Sequence, residues 1–191
     1  VLATKIKYRK ADMFREFVEK GNLLLGVCNG FQVLVKSGLL PFGNFGEDKM
    51  QNATLIGNES GRFEDRWVYL QTEDSPCVFT KGIDRIYLPV RHGEGRFYAD
   101  NYVLEEMAEN KQVALRYVGR NGERDPSYPE NPNGSLQAIA GICDPSGRIY
   151  GMMPHPEAYV HRLQHPRWTR EQLPEEGDGL QIFRNAVSYF R

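Results

Sequence analysis

Apolar residues recur along this chain in distinct rhythms. Met13, Phe14, Phe17 and Val18 stand three to four apart, which predicts a helix over 11–20 with one buried face, closed by Gly21 and Asn22. The run 23–27 is continuously apolar apart from Gly26 and reads as a strand buried on both faces. Helical spacing returns over 29–37 with Phe31, Leu34 and Val35, and Gly38 ends it. Helix, buried strand and helix in succession predict an α/β fold, a parallel sheet wrapped by helices.

The middle of the chain changes character. Strands are expected over 53–56, 67–71, 86–90 and 113–118, with a short helix over 101–110. Strands over 138–142 and 149–153 flank Asp144-Pro145-Ser146-Gly147, a hairpin turn. Ile182, Phe183, Val187 and Phe190 mark a helix over 180–190. Pro129 and Pro132 make 127–135 an ordered loop. The stretch 164–179, polar and rich in Pro and Gly, reads as a surface insertion. Nothing repeats at a fixed period, so one α/β domain is expected.

Composition narrows the function classes. The 191 residues carry 24 basic and 25 acidic side chains, a net charge of −1, with no Lys/Arg block; nucleic-acid binding is not expected. The longest apolar run is far below the ~20 residues of a membrane span, and no apolar segment follows the charged N-terminal residues as in a signal peptide. Cys28, Cys77 and Cys143 are odd in number and widely spaced, which gives neither a disulfide framework nor a metal site and points to a reduced, cytoplasmic protein. Neither a phosphate-binding loop nor a dinucleotide fingerprint is present, so no ATP or NAD is expected on this chain.

Chemistry concentrates at two places. Gly26-Val27-Cys28-Asn29-Gly30 lies where the first strand meets the next helix, a nucleophile elbow with Cys in place of Ser. The turn strains the nucleophile's backbone and requires small residues on either side. The helix N-terminus favours the thiolate, and the Asn29 N–H can face a developing oxyanion. A buried structural cysteine beside two turn glycines would read the same way over five residues. His155, in Met153-Pro154-His155-Pro156-Glu157, follows a strand and has Glu157 two residues on to fix its tautomer. Together these make a candidate Cys28–His155–Glu157 triad, in which thiolate, base and orienting carboxylate have the roles such chemistry needs. His92 falls in a charged, glycine-containing loop over 91–97 that could bind substrate or a partner. His161 and His165 read as solvated surface residues, and Cys77 and Cys143 as inert.

The elbow Gly26-Val27-Cys28-Asn29-Gly30-Phe31-Gln32, the segments 127–135 and 151–157, and His92-Gly93-Glu94-Gly95-Arg96-Phe97 resemble the glutaminase components of phosphoribosylformylglycinamidine synthase. These are class I glutamine amidotransferases of purine biosynthesis with a flavodoxin-like sheet and helices on both faces. The elbow fits any class I amidotransferase, and the loop Tyr128-Pro129-Glu130-Asn131-Pro132-Asn133-Gly134-Ser135 narrows the resemblance to this family. The resemblance implies that Cys28 attacks the amide of L-glutamine, that His155 protonates the departing ammonia and that Glu157 holds the imidazole. Gln32, Asn131, Asn133 and Ser135 are expected, from position, to contact glutamine. Ammonia would pass to a synthetase subunit that holds ATP, Mg and formylglycinamide ribonucleotide, and a small accessory subunit fits the same assembly.

Two features depart from the family pattern. Ala158 stands where the family has Arg, and the family's N-terminal strands and glycine-rich oxyanion loop precede the equivalent of Val1, so the domain is expected to be N-terminally incomplete. Two other readings remain open: a stand-alone cysteine hydrolase and a catalytically inert assembly subunit.

Overall fold

The computed structural model describes residues 2–43 and 52–191. Helix α1 (Leu2–Lys5) continues through a π-helical turn, Ile6–Lys10, into α2 (Ala11–Glu19). The apolar face of α2 is only half used: Val18 is buried and Phe14 packs on the core, whereas Met13 and Phe17 are exposed. Strand β1 (Leu24–Val27) turns directly into α3 (Asn29–Lys36), which buries Phe31, Leu34 and Val35 as their spacing requires. Next come β2 (Ala53–Gly57), β3 (Glu64–Thr72), β4 (Arg85–His92), β5 (Glu94–Ala99), α4 (Asn101–Glu109) and β6 (Val113–Val118). The order ends with β7 (Ile139–Cys143), β8 (Ile149–Met152) and α5 (Leu180–Ser188).

Among the described residues, six strands form one sheet in the order β1-β8-β7-β6-β3-β4, and β2 pairs with β5 in an antiparallel ribbon. Within the sheet only β1 and β8 run parallel, so it is mixed, not the parallel sheet the leading elements predict. Connection length explains the difference. A short turn such as 144–148 can return the chain only antiparallel, whereas β1 and β8 are separated by most of the sequence. Nor is β1 buried on both faces: it pairs on one side only among the described residues, and Gly26 alone is buried. The fully buried strands are β7 and β8.

Alternation along β8 separates two cores. Ile149 joins Phe31, Leu55, Phe97 and Met107 under α3, α4 and the ribbon. Tyr150 and Met152 face Leu70, Leu88, Tyr117 and Ile182 on the side of α5. Helices therefore lie on both faces. Phe31 is completely buried, stacks parallel to Phe97 at 6.3 Å, and presses on Gly151, where a Cβ would lie 2.1 Å from its ring. Glycine in β8 thus gives the ring of α3 its place.

Two further expectations are corrected. Residues 91–97 are not a loop but the end of β4 and most of β5, joined through Gly93. His165 is not solvated: it is 4% exposed, with ring centroids of Trp67, Tyr87 and Tyr159 at 5.3–5.6 Å. Apolar stacking surface draws it in, and its Nδ1 accepts from the Arg167 N–H. The polar segment 164–179 is anchored by this ring and by Asp178, whose carboxylate accepts from the Tyr87 N–H at 2.8 Å. Among the described residues no helix is long and apolar enough to cross a membrane.

Phe31→Ala is expected to destabilise the fold by about 3–5 kcal/mol in urea unfolding, because a ring packed between Phe97 and Gly151 leaves a cavity. Met13→Ala, on the exposed side of α2, should change stability by less than ~0.5 kcal/mol. Equal effects would contradict this division of the core.

Candidate active site

Parallel strands deliver their next residues to the same end of a sheet. β1 and β8 are in register Gly26↔Gly151 and Val27↔Met152, and Cys28, immediately after β1, donates its N–H to Met152 O at 2.8 Å. Cys28 has φ +51° and ψ −107°, a conformation that side chains rarely adopt and that persists only when the surroundings impose it. Gly26 makes the turn possible: a Cβ there would fall 2.7 Å from the Gly30 carbonyl carbon and 2.5 Å from Leu34 Cδ1. Gly30 faces open space, so packing requires only the first of the two elbow glycines. Since α3 begins at Asn29, the amides of its first turn have no intrahelical acceptor, and the Asn29 N–H sits beside Cys28 at the positive end of the helix dipole.

His155 leaves the end of β8 with its N–H donated to Pro89 O at 2.9 Å. Its Nδ1 lies 2.5 Å from Glu157 Oε1 on the following 3-10 turn, Pro156–Ala158. A carboxylate can only accept, so Nδ1 carries the proton and Nε2 is left as the base. That Nε2 is buried and forms no hydrogen bond among the described residues, while the Cys28 thiol points to Arg91 O at 3.6 Å. Such bonds commonly tighten only when substrate binds. Cys28 is the strongest influence on the imidazole. It raises the His155 pKa above the ordinary value against the effect of burial, and Glu157 adds to the rise. Nucleophile, base, orienting carboxylate and backbone N–H are the parts that acyl transfer from an amide requires.

The other expected site residues lie around this cluster. Gln32 Nε2 donates to Glu94 O, tying α3 to the β4–β5 turn. Asn133 is fully buried, and its Nδ2 donates to Gly95 O at 2.8 Å and to the Tyr117 hydroxyl at 3.1 Å. Its Oδ1 accepts from the Ser135 hydroxyl at 2.7 Å. Asn131 bonds both the N–H and the C=O of Ser135, whose Oγ accepts from the Phe97 N–H at 2.9 Å. The polar groups of Asn131, Asn133 and Ser135 are therefore engaged with one another and with β5. The structure brings Cys28, Asn29, His155 and Glu157 together, and places the three loop residues one layer away.

Sequence reasoning singled out His92 but missed its burial and its partner Asn58. Asn58 Nδ2 donates to the carbonyls of Arg62 and His92, so its Oδ1 accepts from Gly95 N–H at 3.1 Å and from His92 Nδ1 at 3.0 Å. His92 Nε2 is left as a buried acceptor without a partner among the described residues. Burial first, and the nearby His155 to a smaller extent, push the His92 pKa down to about 4. The spacing His92-Gly93-Glu94-Gly95 was the available signal: a Cβ on Gly95 would lie 2.7 Å from the His92 ring. Among the described residues no group of three His, Cys, Asp or Glu is placed to hold a metal ion.

A family model described as a CobB/CobQ-like glutamine amidotransferase domain matches residues 1–190. The chain is 49% identical over its whole length to phosphoribosylformylglycinamidine synthase subunit PurQ of Dehalococcoides mccartyi and spans 72% of that relative. It is 45% identical, over 98% of its length, to the subunit PurQ of Methanococcus maripaludis, of which it spans 73%. Among solved structures, a chain of PurLQS from Thermotoga maritima superposes with a TM-score of 0.70 at 30% identity, covering 99% of this chain and 72% of that one.

Two predictions follow from the opposed histidines. In NMR titration, His155 should titrate above the ordinary histidine value, and Cys28→Ala and Glu157→Gln should each lower its pKa; a pKa unmoved by either change would contradict the assigned contacts. His92 is depressed in the folded state, so between about pH 6.5 and 4 the unfolded chain binds the extra proton. Its contribution, up to about 3 kcal/mol, is present above pH 6.5 and is lost as pH falls toward 4. Urea unfolding from pH 7 to 4 should show a shallower pH slope for His92→Gln, whatever that variant's absolute stability. An unchanged slope would remove His92 as the cause.

Proposed function

We propose that this chain, which belongs to the CobB/CobQ-like glutamine amidotransferase domain family, is the glutaminase component of phosphoribosylformylglycinamidine synthase in purine biosynthesis. The observation that carries the catalytic assignment is the meeting of a strained Cys28 with the His155–Glu157 pair, 127 residues away in sequence. L-glutamine is the substrate and a synthetase subunit the partner.

The chemistry divides into two half-reactions. His155 Nε2 takes the thiol proton as Cys28 Sγ attacks the side-chain amide carbon, and the Asn29 N–H faces the oxyanion that forms. His155 then gives that proton to the amide nitrogen as the C–N bond breaks, so ammonia leaves and a γ-glutamyl thioester remains. Water attacks the thioester, His155 takes its proton, the C–S bond breaks, and glutamate departs with Cys28 restored. Glu157 holds the ring in one tautomer through both steps. Gln32, Asn131, Asn133 and Ser135 act by holding the Gly93–Gly95 turn and the loop 127–135 against the elbow, with glutamine resting on the backbone they position. Ala158, where the family has Arg, lies outside the His155–Glu157 contact.

Ammonia passes to the synthetase subunit, which binds ATP, Mg and formylglycinamide ribonucleotide, and a small accessory subunit completes the assembly. The chain acts as one amidotransferase domain with 164–179 as an appended, anchored segment. It works in the cytoplasm, where Cys28 stays reduced.

Labelling with 6-diazo-5-oxo-norleucine and peptide mapping tests the site. Adduct at Cys28 alone, blocked by excess glutamine, is expected, and Cys28→Ala or His155→Ala should lower glutamine hydrolysis by at least about 10³-fold. Equal labelling of all three cysteines would favour an inert assembly subunit. Hydrolysis equally fast with and without the synthetase subunit would favour a stand-alone hydrolase.

A further inference from the structure

Two cysteines stand outside the catalytic cluster and against each other. Cys77 precedes the short 3-10 turn Val78–Thr80, and Cys143 ends β7, 66 residues later in sequence. Both are free thiols, 2% and 0% exposed, and each lies close enough to shift the other's titration. Ser75 brackets the pair: its hydroxyl lies 3.4 Å from Cys143 Sγ and accepts the Cys77 N–H at 3.2 Å. The segment bearing Cys77 is fixed to the β7–β8 turn, because Val78 N–H donates to Gly147 O at 3.0 Å and Pro76 O occupies the place of a Gly147 side chain. Cys77 also lines a cleft of about 580 Å³ with Glu73, Ser75, Lys81, Asn185 and Tyr189, which shares no residue with the catalytic cluster.

We propose that Cys77 and Cys143 are a dithiol modification site, converted to a disulfide by a small peroxide that enters through this cleft. The thiols are not equivalent. Burial raises the Cys77 pKa, but the Cys143 thiol, Thr80 and the backbone N–H groups of Phe79 and Thr80 outweigh it and set Cys77 below the ordinary value. Cys143 is raised, first by its bond to Cys77 and then by burial. Cys77 lines the cleft and Cys143 does not, so Cys77 is the sulfur that attacks peroxide: an S–O bond forms, the O–O bond breaks, and the first water leaves. Cys143 Sγ then attacks the sulfenic sulfur, the S–S bond forms, the S–O bond breaks, and the Cys143 proton departs with the second water. Peroxide takes up the two electrons that the thiols lose.

Cys28→Ser leaves only this pair and makes the test direct. Treatment with stoichiometric hydrogen peroxide should remove both remaining thiols, lower the intact mass by two hydrogens and join the Cys77 and Cys143 peptides in a non-reducing digest. Dithiothreitol should reverse all three changes. Closing so long a loop should raise the thermal midpoint by about 5–10 °C. With Cys143→Ala added, the reaction should stop at a Cys77 sulfenic acid that dimedone captures. Oxygen added to either sulfur without the cross-link, a disulfide between chains, or thiols that survive would each overturn the proposal. Peptide mapping of the peroxide-treated wild-type chain reads the same bond if Cys28→Ser fails to fold.

Discussion

The parallel pairing of β1 with β8 is the constraint on which the rest depends. Hairpins alone would never place Cys28 beside His155, because a strand that returns by a short turn ends at the opposite end of its neighbour. The long excursion through the ribbon and the antiparallel strands lets the chain come back in the same direction, in the register Val27↔Met152. Slipping that register by one residue would turn Gly151 away from Phe31 and drive a side chain into the ring's place, so the packing that stabilises α3 also aligns nucleophile and base. β4 closes the arrangement from the far end of the strand order. The carbonyls of Pro89 and Arg91 meet His155 N–H and Cys28 Sγ, so the curl of the sheet becomes part of the site.

Holding a non-glycine residue at φ +51° costs about 1–3 kcal/mol, which the surroundings must offset. Here that support is mostly polar and buried. Asn58 anchors His92 and Gly95, Gln32 anchors Glu94, and Asn133 links Gly95 to Tyr117. The same layer separates two imidazoles electrostatically. His155, facing a thiol and a carboxylate, is raised, while His92, buried against an amide, is kept neutral. A charged His92 would repel a protonated His155, and its neutrality removes that repulsion. Opposite shifts in neighbouring titratable groups give the two imidazoles different protonation behaviour.

What could be read from the sequence was local. The spacing in α3, the hairpin about 144–147 and the elbow depend on residues a few positions apart, and the structure has them as expected. Properties that depend on distant partners were not legible. The apolar run 23–27 carries no mark of which of its edges is paired, and a His-Gly-Glu-Gly stretch looks like a loop until β3 and β2 are known to flank it. His165 sits in a polar, proline-rich stretch whose composition says exposure, yet three aromatic rings from β3, β4 and the 159 region enclose it. Composition reports a segment's average, whereas burial is decided by a single ring.

The loop 127–135 shows how a family can be recognised through residues remote from its chemistry. Its side chains bond to β5 and to each other, so their hydrogen-bonding groups are engaged with the scaffold. An elbow needs only a strand, a tight turn and a helix, and many amidotransferases supply these with little in common elsewhere. The particular turn that presents Arg91 O and the Gly93–Gly95 backbone to the elbow requires this particular scaffold. Asn133 is completely buried with all of its hydrogen-bonding groups in use, and replacing it would remove the donor to the Tyr117 hydroxyl and the shorter of two donors to Gly95 O. The loop thus fixes where the β5 backbone meets the elbow, through Asn133 to Gly95 and Ser135 to Phe97.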